Sequence, residues 1–387
     1  MKHFSHLNTA VEIIGLYKGA QPFHFFIKAF FKRYKKYGSR DRKQITHLCY
    51  CYFRLGNALK NRPLEESILQ ALFLCSDQSN ELLSAIKPAW IEKINATPQE
   101  KCTLLHIPVE SLHIFPFPDQ LSDGIQAAAF NLSHLIQPDL FLRIRPGFQQ
   151  AVINKLQQAG IAYNLPLANC ISLPNTTKID ELLQVNKEVV IQDYSSQRTG
   201  SFMQIAGESI STPVTWDCCA ASGGKSILAK DLLGNIDLTV SDIRPSVLAN
   251  LAKRFGEAGI KNYTIIPADL TKPGTRNLPH GFQFIIADAP CTGAGTWGRS
   301  PERLTFFDEK EIDSYNQLQK KIVTAVIPAL QNGGFFLYIT CSVFKKENEG
   351  MVSFIQENNV MELVKMELLK GYSDKADTMF AALLRKK

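Results

Sequence analysis

Beyond about residue 200 the chain alternates short apolar strands with helix-length spacers, and no other feature restricts its fold as much. Strands are predicted at VTWD, LTVSD, YTIIPAD, FQFIIAD and GGFFLYIT. The segments between them suit helical crossovers, which return the chain parallel to the strand it left. The expected architecture is therefore an α/β fold with a doubly wound parallel sheet. Ligands of such sheets sit beyond the carboxyl ends of the strands. The residues at those ends are Asp217, Asp242, Asp269, Asp288 and Cys341.

The first strand runs into Cys218-Cys219-Ala220-Ala221-Ser222-Gly223-Gly224-Lys225-Ser226. Two glycines allow a tight turn and close backbone approach, and the helix after them offers free amides. A phosphate-binding loop needs a glycine where this chain has Cys219, and the dinucleotide pattern of three spaced glycines is absent. S-adenosylmethionine fits the acidic strand ends better, because it is cationic at sulfur and also carries an ammonium group. Asp242 can accept from both ribose hydroxyls and Asp269 from the adenine amine. Taken singly, each aspartate serves equally as a helix cap.

Two cysteines end adjacent strand segments, in Asp288-Ala-Pro-Cys291 and in Thr340-Cys341-Ser342. Alone, each reads as a core residue. As a pair they suit methylation of cytosine at C5, a carbon too weakly nucleophilic to be methylated until a thiolate adds at C6. Asp288 can then stabilise the added proton at N3. Amine methylation of adenine calls for Asp-Pro-Pro-Tyr at the fourth strand end, and here the sequence is Asp-Ala-Pro-Cys.

The first two hundred residues read differently. Residues 1–115 are predicted helical from Ile45, Leu48, Cys49, Tyr52 and Leu55, followed beyond Pro63 by Ile68, Leu72 and Cys75. Residues 116–137, with FPFPDQLSDG at their start, read as a linker or connecting helix. Residues 138–200 form a small α/β region, in which Leu140, Leu142 and Ile144 share one strand face while Arg143 and Arg145 occupy the other, as solvated residues or RNA contacts. Residues 201–387 are the large α/β domain. The net charge of +7 sits at the start: residues 1–43 carry ten Lys or Arg against Glu12 and Asp41. There Phe25, Phe26, Lys28, Phe30, Phe31, Lys32, Arg33, Tyr34, Lys35, Lys36 and Tyr37 interleave aromatic and basic groups. That pattern suits a phosphate backbone, or a helix with a buried aromatic face and solvated lysines.

Nine cysteines with no disulfide or zinc spacing imply reduced thiols and a cytoplasmic protein with no bound metal. No apolar run is long enough to span a membrane, and the first residues do not resemble a secretion signal.

The stretch from Asp217 to Lys225, then SDIRPSVLANL, IPADLT, ADAPCTGAGTWGRSPE, TCSVFKKENE and TMFAALLRKK, resembles the RsmB/Nop/Sun family of RNA cytosine-5 methyltransferases over about 185 residues. The resemblance implies a class I, Rossmann-like methyltransferase domain that uses S-adenosyl-L-methionine. It implies that Cys341 is the nucleophile, that Cys291 assists product release, and that Asp288 is the partner of the base. The loop Cys219, Ala220, Ala221, Ser222, Gly223, Gly224 and Lys225, with Asp242, Asp269 and Asp288, is similar to the family's cofactor site, and Lys225 is expected to face the reaction centre too. Ser222 departs from the family's usual proline, a loss of preorganisation.

Residues 138–200, through QDYSSQ, resemble the family's RNA-recognition region. RKQITHLCYCYFRLG resembles the NusB-like RNA-binding domain of bacterial ribosomal-RNA members. The partner implied is RNA, small-subunit ribosomal RNA ahead of transfer RNA, with no membrane and no obligate protein partner. Two alternatives stand beside this reading: a non-catalytic RNA-binding ribosome-assembly factor, against which both cysteines argue, and a DNA cytosine-5 methyltransferase, against which the Thr-Cys-Ser motif and the basic N-terminal extension argue.

Overall fold

The computed structural model describes residues 2–272 and 279–387. The chain forms two compact units that interleave along the sequence. The first comprises Met1–Asp119, Gln126–Gln137 and Thr296–Asp308; the second comprises Gln120–Ile125, Pro138–Gly295 and Glu309–Lys387. Helices of ten or more residues are numbered in chain order.

The first unit is helical, with α1 (Lys2–Leu16), α2 (Phe23–Arg33), α3 (Ser39–Arg54) and α4 (Leu64–Cys75). Helix α3 starts after Gly38, whose N–H donates to the Asp41 carboxylate at 3.2 Å, so an acidic side chain satisfies an amide at the positive end of the helix. The aromatic–basic run divides by face. Phe23, Ile27, Phe30, Phe31 and Tyr37 are buried, whereas Lys28, Lys32, Arg33, Lys35 and Lys36 are exposed. The aromatics are therefore core residues rather than a surface platform, with Phe25, 56% exposed, as the exception. Phe23 and Phe53 meet edge to face at 4.8 Å, and Tyr17 meets Phe306 the same way at 5.1 Å.

The second unit contains two sheets. The smaller is antiparallel, in the order β2-β3-β1-β4, from β1 (Leu140–Ile144), β2 (Asn164–Leu167), β3 (Cys170–Leu173) and β4 (Val189–Ile191). Helix α5 (Gln149–Gln158) covers one face, where Val152 and Leu156 pack with Leu142, Ile144, Ile171 and Val189. The opposite face departs from expectation, because Arg143 and Arg145 are not solvated. Both pair with Asp231, at 2.6 and 2.8 Å, and the Arg143 side chain is only 7% exposed.

The larger sheet has seven strands in the order β10-β11-β9-β8-β5-β6-β7. They are β5 (Val214–Asp217), β6 (Asp237–Asp242), β7 (Thr264–Pro267), β8 (Phe282–Asp288), β9 (Leu330–Thr340), β10 (Met361–Leu369) and β11 (Met379–Lys386). Side chains alternate across it as the pleat requires. Phe284, Ile286, Leu337 and Ile339 face α6 (Gly200–Ser209), α7 (Gly224–Leu233) and α8 (Pro245–Glu257). Ile285, Ala287, Phe336 and Tyr338 face α9 (Lys310–Val326) and α10 (Glu349–Asn358). Each such fully buried side chain contributes roughly 1.5–3 kcal/mol.

Two details differ from the expected parallel sheet. Strand β11 runs antiparallel to both β9 and β10, so the sheet is mixed. Its sequence is apolar from Met379 to Leu384 because both faces are covered, a pattern that conceals strand direction. Strand β7 ends at Pro267, so Asp269 lies two residues beyond it rather than at its end.

Candidate active site

A cleft of about 420 Å³ opens at the carboxyl ends of the parallel strands of the larger sheet. Of the residues singled out in the sequence, Cys219, Ala221, Asp242, Asp269, Asp288 and Cys291 line it. Ala220, Ser222, Gly223 and Gly224 form the turn behind it, leading into α7.

The backbone of that turn is specialised. Ala221 has φ 46° and Gly223 has φ 84°, both in the left-handed region. Only glycine serves at 223, since a Cβ there would stand 2.7 Å from the Phe255 ring. Ala221 N–H donates to the Asp242 carboxylate at 3.1 Å, joining the turn to the end of β6. Ser222 takes on a tie of its own, because Arg254 on α8 donates to its carbonyl and its hydroxyl, both at 2.7 Å. Proline has no such hydroxyl, so here a side-chain hydrogen bond restrains the turn instead of a ring.

Asp242 is more engaged than the sequence suggests. Arg244 donates to its carboxylate through the backbone N–H at 2.9 Å, Nε at 3.0 Å and Nη2 at 3.1 Å. Burial pushes the Asp242 pKa up, but the Arg244 hydrogen bonds outweigh it and hold the group below the usual carboxylate range. Asp269 accepts from the N–H and hydroxyl of Thr271, at 3.0 and 2.6 Å, which lowers its pKa. Asp217, at the end of β5, is fully buried and accepts from Ser226 Oγ at 2.5 Å; burial lifts its pKa to about 7.

Behind Asp288, which lines the cleft, Lys225 Nζ donates to Asp288 Oδ2 at 3.0 Å and to Ser196 Oγ at 2.8 Å; neither Lys225 nor Cys341 is among the lining residues. Lys225 starts far from Asp288 in sequence, and the parallel pairing of β5 with β8 brings their carboxyl ends side by side. Cys291 Sγ and Cys341 Sγ stand 3.3 Å apart, beyond the ends of the paired strands β8 and β9. The adjacent Cys341 sulfur and burial together push the Cys291 thiol well above its ordinary pKa. All nine cysteines are free.

Gly295 secures the Cys341 loop: its N–H donates to Cys341 O at 2.9 Å and its carbonyl accepts from Thr378 N–H at 2.9 Å. A Cβ on Gly295 would lie 1.9 Å from Thr378 O, so no other residue fits without backbone movement. Ser196, Arg244 and Arg254 bear on this site and were not singled out for it in the sequence, and Glu347 stood out there only as following Thr340-Cys341-Ser342, with no role. QDYSSQ contains Ser196 and TCSVFKKENE contains Glu347, but neither motif shows which group the side chain meets. Among the described residues, no cluster of three or more His, Cys, Asp or Glu is arranged to hold a metal ion, and no helix is long and apolar enough to cross a membrane.

Known proteins are similar to part of this chain. Residues 211–384 match the family described as 16S rRNA methyltransferase RsmB/F. Ribosomal RNA small subunit methyltransferase B of Salmonella paratyphi B is 32% identical over 170 residues, covering 43% of this chain and 38% of that protein. The 26S rRNA (cytosine-C(5))-methyltransferase nsun-1 of Caenorhabditis elegans is 28% identical over 172 residues, covering 42% of this chain and 26% of that protein. The chain thus spans well under half the length of these curated relatives. The crystal structure of PH0851 superposes with a TM-score of 0.70 at 17% identity, covering 100% of this chain and 99% of that one, which shows a shared fold. Over residues 211–384, which hold the Asp217–Lys225 turn and the two strand-end cysteines of a seven-stranded Rossmann-like sheet, the chain matches the RsmB/F methyltransferase family.

Proposed function

We propose that this protein methylates C5 of a cytosine in RNA, with small-subunit ribosomal RNA as the substrate and Cys341 as the attacking group. The observation that carries this reading is the pair of cysteine sulfurs 3.3 Å apart, one of them on a residue that lines the cleft with Asp288, the partner of Lys225.

The residues of the cleft fit S-adenosyl-L-methionine. Asp242 and Asp269 offer carboxylate acceptors for hydroxyl and amine donors, and Ile243 and Leu270 supply apolar walls. The turn from Cys219 to Gly224 brings bare backbone close to the cleft, and Lys225 extends to Asp288. Arg244 occupies the Asp242 carboxylate while its own side chain is 59% exposed, so it is free to yield to ribose hydroxyls. When bound, S-adenosyl-L-methionine supplies an electrophilic methyl group.

The protein's part in the chemistry follows from charge. The Cys341 thiolate forms a bond to C6, and the C5–C6 π pair moves to make C5 nucleophilic. Asp288, steadied by Lys225, stabilises the proton at N3. After C5 is methylated, a base, water being sufficient, takes the C5 proton, the C–H pair re-forms the C5–C6 double bond, the C6–S bond breaks and Cys341 leaves as thiolate. Cys291, its sulfur 3.3 Å away and its thiol pushed up by the Cys341 sulfur and burial, provides the hydrogen-bond donor that assists this departure.

In the same reading, the small sheet over residues 138–200 serves RNA recognition, and the helical first unit is a NusB-like RNA-binding domain acting through the exposed cations of α2. The setting is the cytoplasm.

The test is tritium transfer from labelled S-adenosylmethionine to RNA that lacks the modification. Wild type should label 5-methylcytosine, Cys341→Ala should abolish the label, and Cys291→Ala should accumulate a protein–RNA adduct that survives denaturation. Normal turnover by Cys341→Ala would overturn the nucleophile. Binding of RNA and S-adenosylmethionine without transfer to any RNA would favour an assembly factor, and label confined to transfer RNA would replace the substrate.

A further inference from the structure

Cys291 and Cys341 sit on separate loops, 50 residues apart in the chain, and their sulfurs can cooperate only if something joins those loops. The buried carboxylate of Glu347 accepts from the residue that follows each cysteine. Thr292 donates its N–H to Oε1 at 3.0 Å and its hydroxyl to Oε2 at 2.5 Å. Ser342 donates its hydroxyl to the same Oε2. Gln319, on α9, donates to Oε1 at 2.9 Å and also to the carbonyl of Pro290 at 3.0 Å. Asn348, the next residue along, donates to Ser342 O at 3.0 Å and accepts from Thr340 Oγ1 at 2.5 Å. Both residues flanking each cysteine are thus tied to this cluster.

We infer that Glu347 is a positioning residue that sets the separation of Cys291 and Cys341 by hydrogen-bonding the residue that follows each of them. Its importance to catalysis rests on the reaction proposed above; its effect on the sulfur separation does not. The carboxylate is expensive to place there. Burial pushes its pKa up, and the hydrogen bonds from Ser342 and Thr292 oppose that push. An apolar side chain would fill such a site at lower cost, but it would leave the loops joined only by Gly295 N–H to Cys341 O at 2.9 Å and by the Thr292–Ser342 hydroxyl contact at 3.2 Å. The hydrogen bonds also have a direction that a hydrophobic contact lacks, and a misplacement of about 1 Å between reacting groups costs on the order of 100-fold in rate.

Two variants separate position from mere filling. Glu347→Gln keeps an oxygen for Thr292 N–H and Gln319, and its amide donates to the Thr292 and Ser342 hydroxyls, which turn to accept. Glu347→Ala removes every tie that the side chain makes. The first readout needs no RNA: diamide, an azo oxidant, takes two electrons and two protons from the thiols and leaves a disulfide, and the Cys291–Cys341 product is followed by peptide mass spectrometry. Glu347→Ala is expected to slow this reaction by about tenfold or more, as expected when the sulfurs lose their fixed geometry, with Glu347→Gln close to wild type. The second readout is methyl transfer, in which Glu347→Ala should lower kcat by on the order of 100-fold, leave the KM for S-adenosylmethionine nearly unchanged, and be largely rescued by Glu347→Gln.

Should Glu347→Ala fail to fold, Ser342→Ala removes the Glu347 hydrogen bond to the Cys341 loop while leaving the carboxylate in place, and should still slow disulfide formation. Disulfide formation at the wild-type rate in folded Glu347→Ala or Ser342→Ala overturns the inference, as does Glu347→Gln behaving like Glu347→Ala. Wild type that forms the disulfide rapidly but methylates no RNA overturns the proposed reaction instead and leaves the positioning role standing.

Discussion

Two regions carry cations that look alike in the sequence and have opposite fates in the structure. On α2, Lys28, Lys32, Arg33 and the following Lys35 and Lys36 project into solvent, while the aromatic residues between them form the core. Arg143 of β1 and Arg145, the residue after its end, turn inward and share Asp231 of α7; Arg145 also donates to Asn186 O at 3.0 Å and to Ala258 O, at the end of α8, at 2.7 Å. The helix can keep its cations on one exposed side because its period is 3.6. The strand alternates with a period of two, and both of its faces are covered. A cation on a two-sided buried strand must be paired, and once paired it joins elements together instead of reaching for a ligand.

The sharpest way to break this contrast is Asp231→Ala, which strands two guanidinium groups; urea denaturation should show a loss of roughly 3–5 kcal/mol. Asp217 extends the contrast to a buried acid held by a hydroxyl. With its pKa raised from 3.8 to about 7, the folded state keeps a proton that the unfolded chain releases. Stability from this group is therefore full below pH 4 and is lost as pH rises towards 7, by up to roughly 4 kcal/mol. Asp217→Asn should flatten that slope, measured as urea midpoints at pH 5 and pH 8, and an unchanged slope would refute it. On α2 the same rule predicts a split between faces: Phe31→Ala should cost about 3 kcal/mol, whereas Lys32→Ala should stay within about 0.5 kcal/mol. The smallest effect on folding should come from Lys28→Ala with Lys36→Ala. If α2 binds single-stranded RNA, that pair should nonetheless weaken the affinity, and the slope of log affinity against log salt should become shallower by about 0.7 for each phosphate left unneutralised.

The strand positions were legible because each of the five predicted strands is short, apolar and closed by an Asp or by Thr-Cys. The turn at Gly223 was equally plain, since glycine before a helix start has few other uses. Strands β10 and β11 were not read from the sequence, and the apolar run of β11, buried on both faces, carries no alternation that would orient it. Asp269 was placed at a strand end by its motif, yet Pro267 withdraws a backbone donor and β7 stops there. Arg143 and Arg145 were misread because a strand pattern tells which residues share a face and not whether that face meets solvent.

The sequence by itself determined that this chain builds an α/β sheet with acids and cysteines along one edge, because period and turn chemistry are local properties of neighbouring residues. Only the tertiary structure decided which of those residues meet. The order of β8 beside β9 brings Cys291 to Cys341, the order of β5 beside β8 brings Lys225 to Asp288, and the Cys341 sulfur with burial pushes the Cys291 thiol up. Each depends on strand pairing and solvent exclusion between residues dozens of positions apart, and neither of these is written in any one segment of the chain.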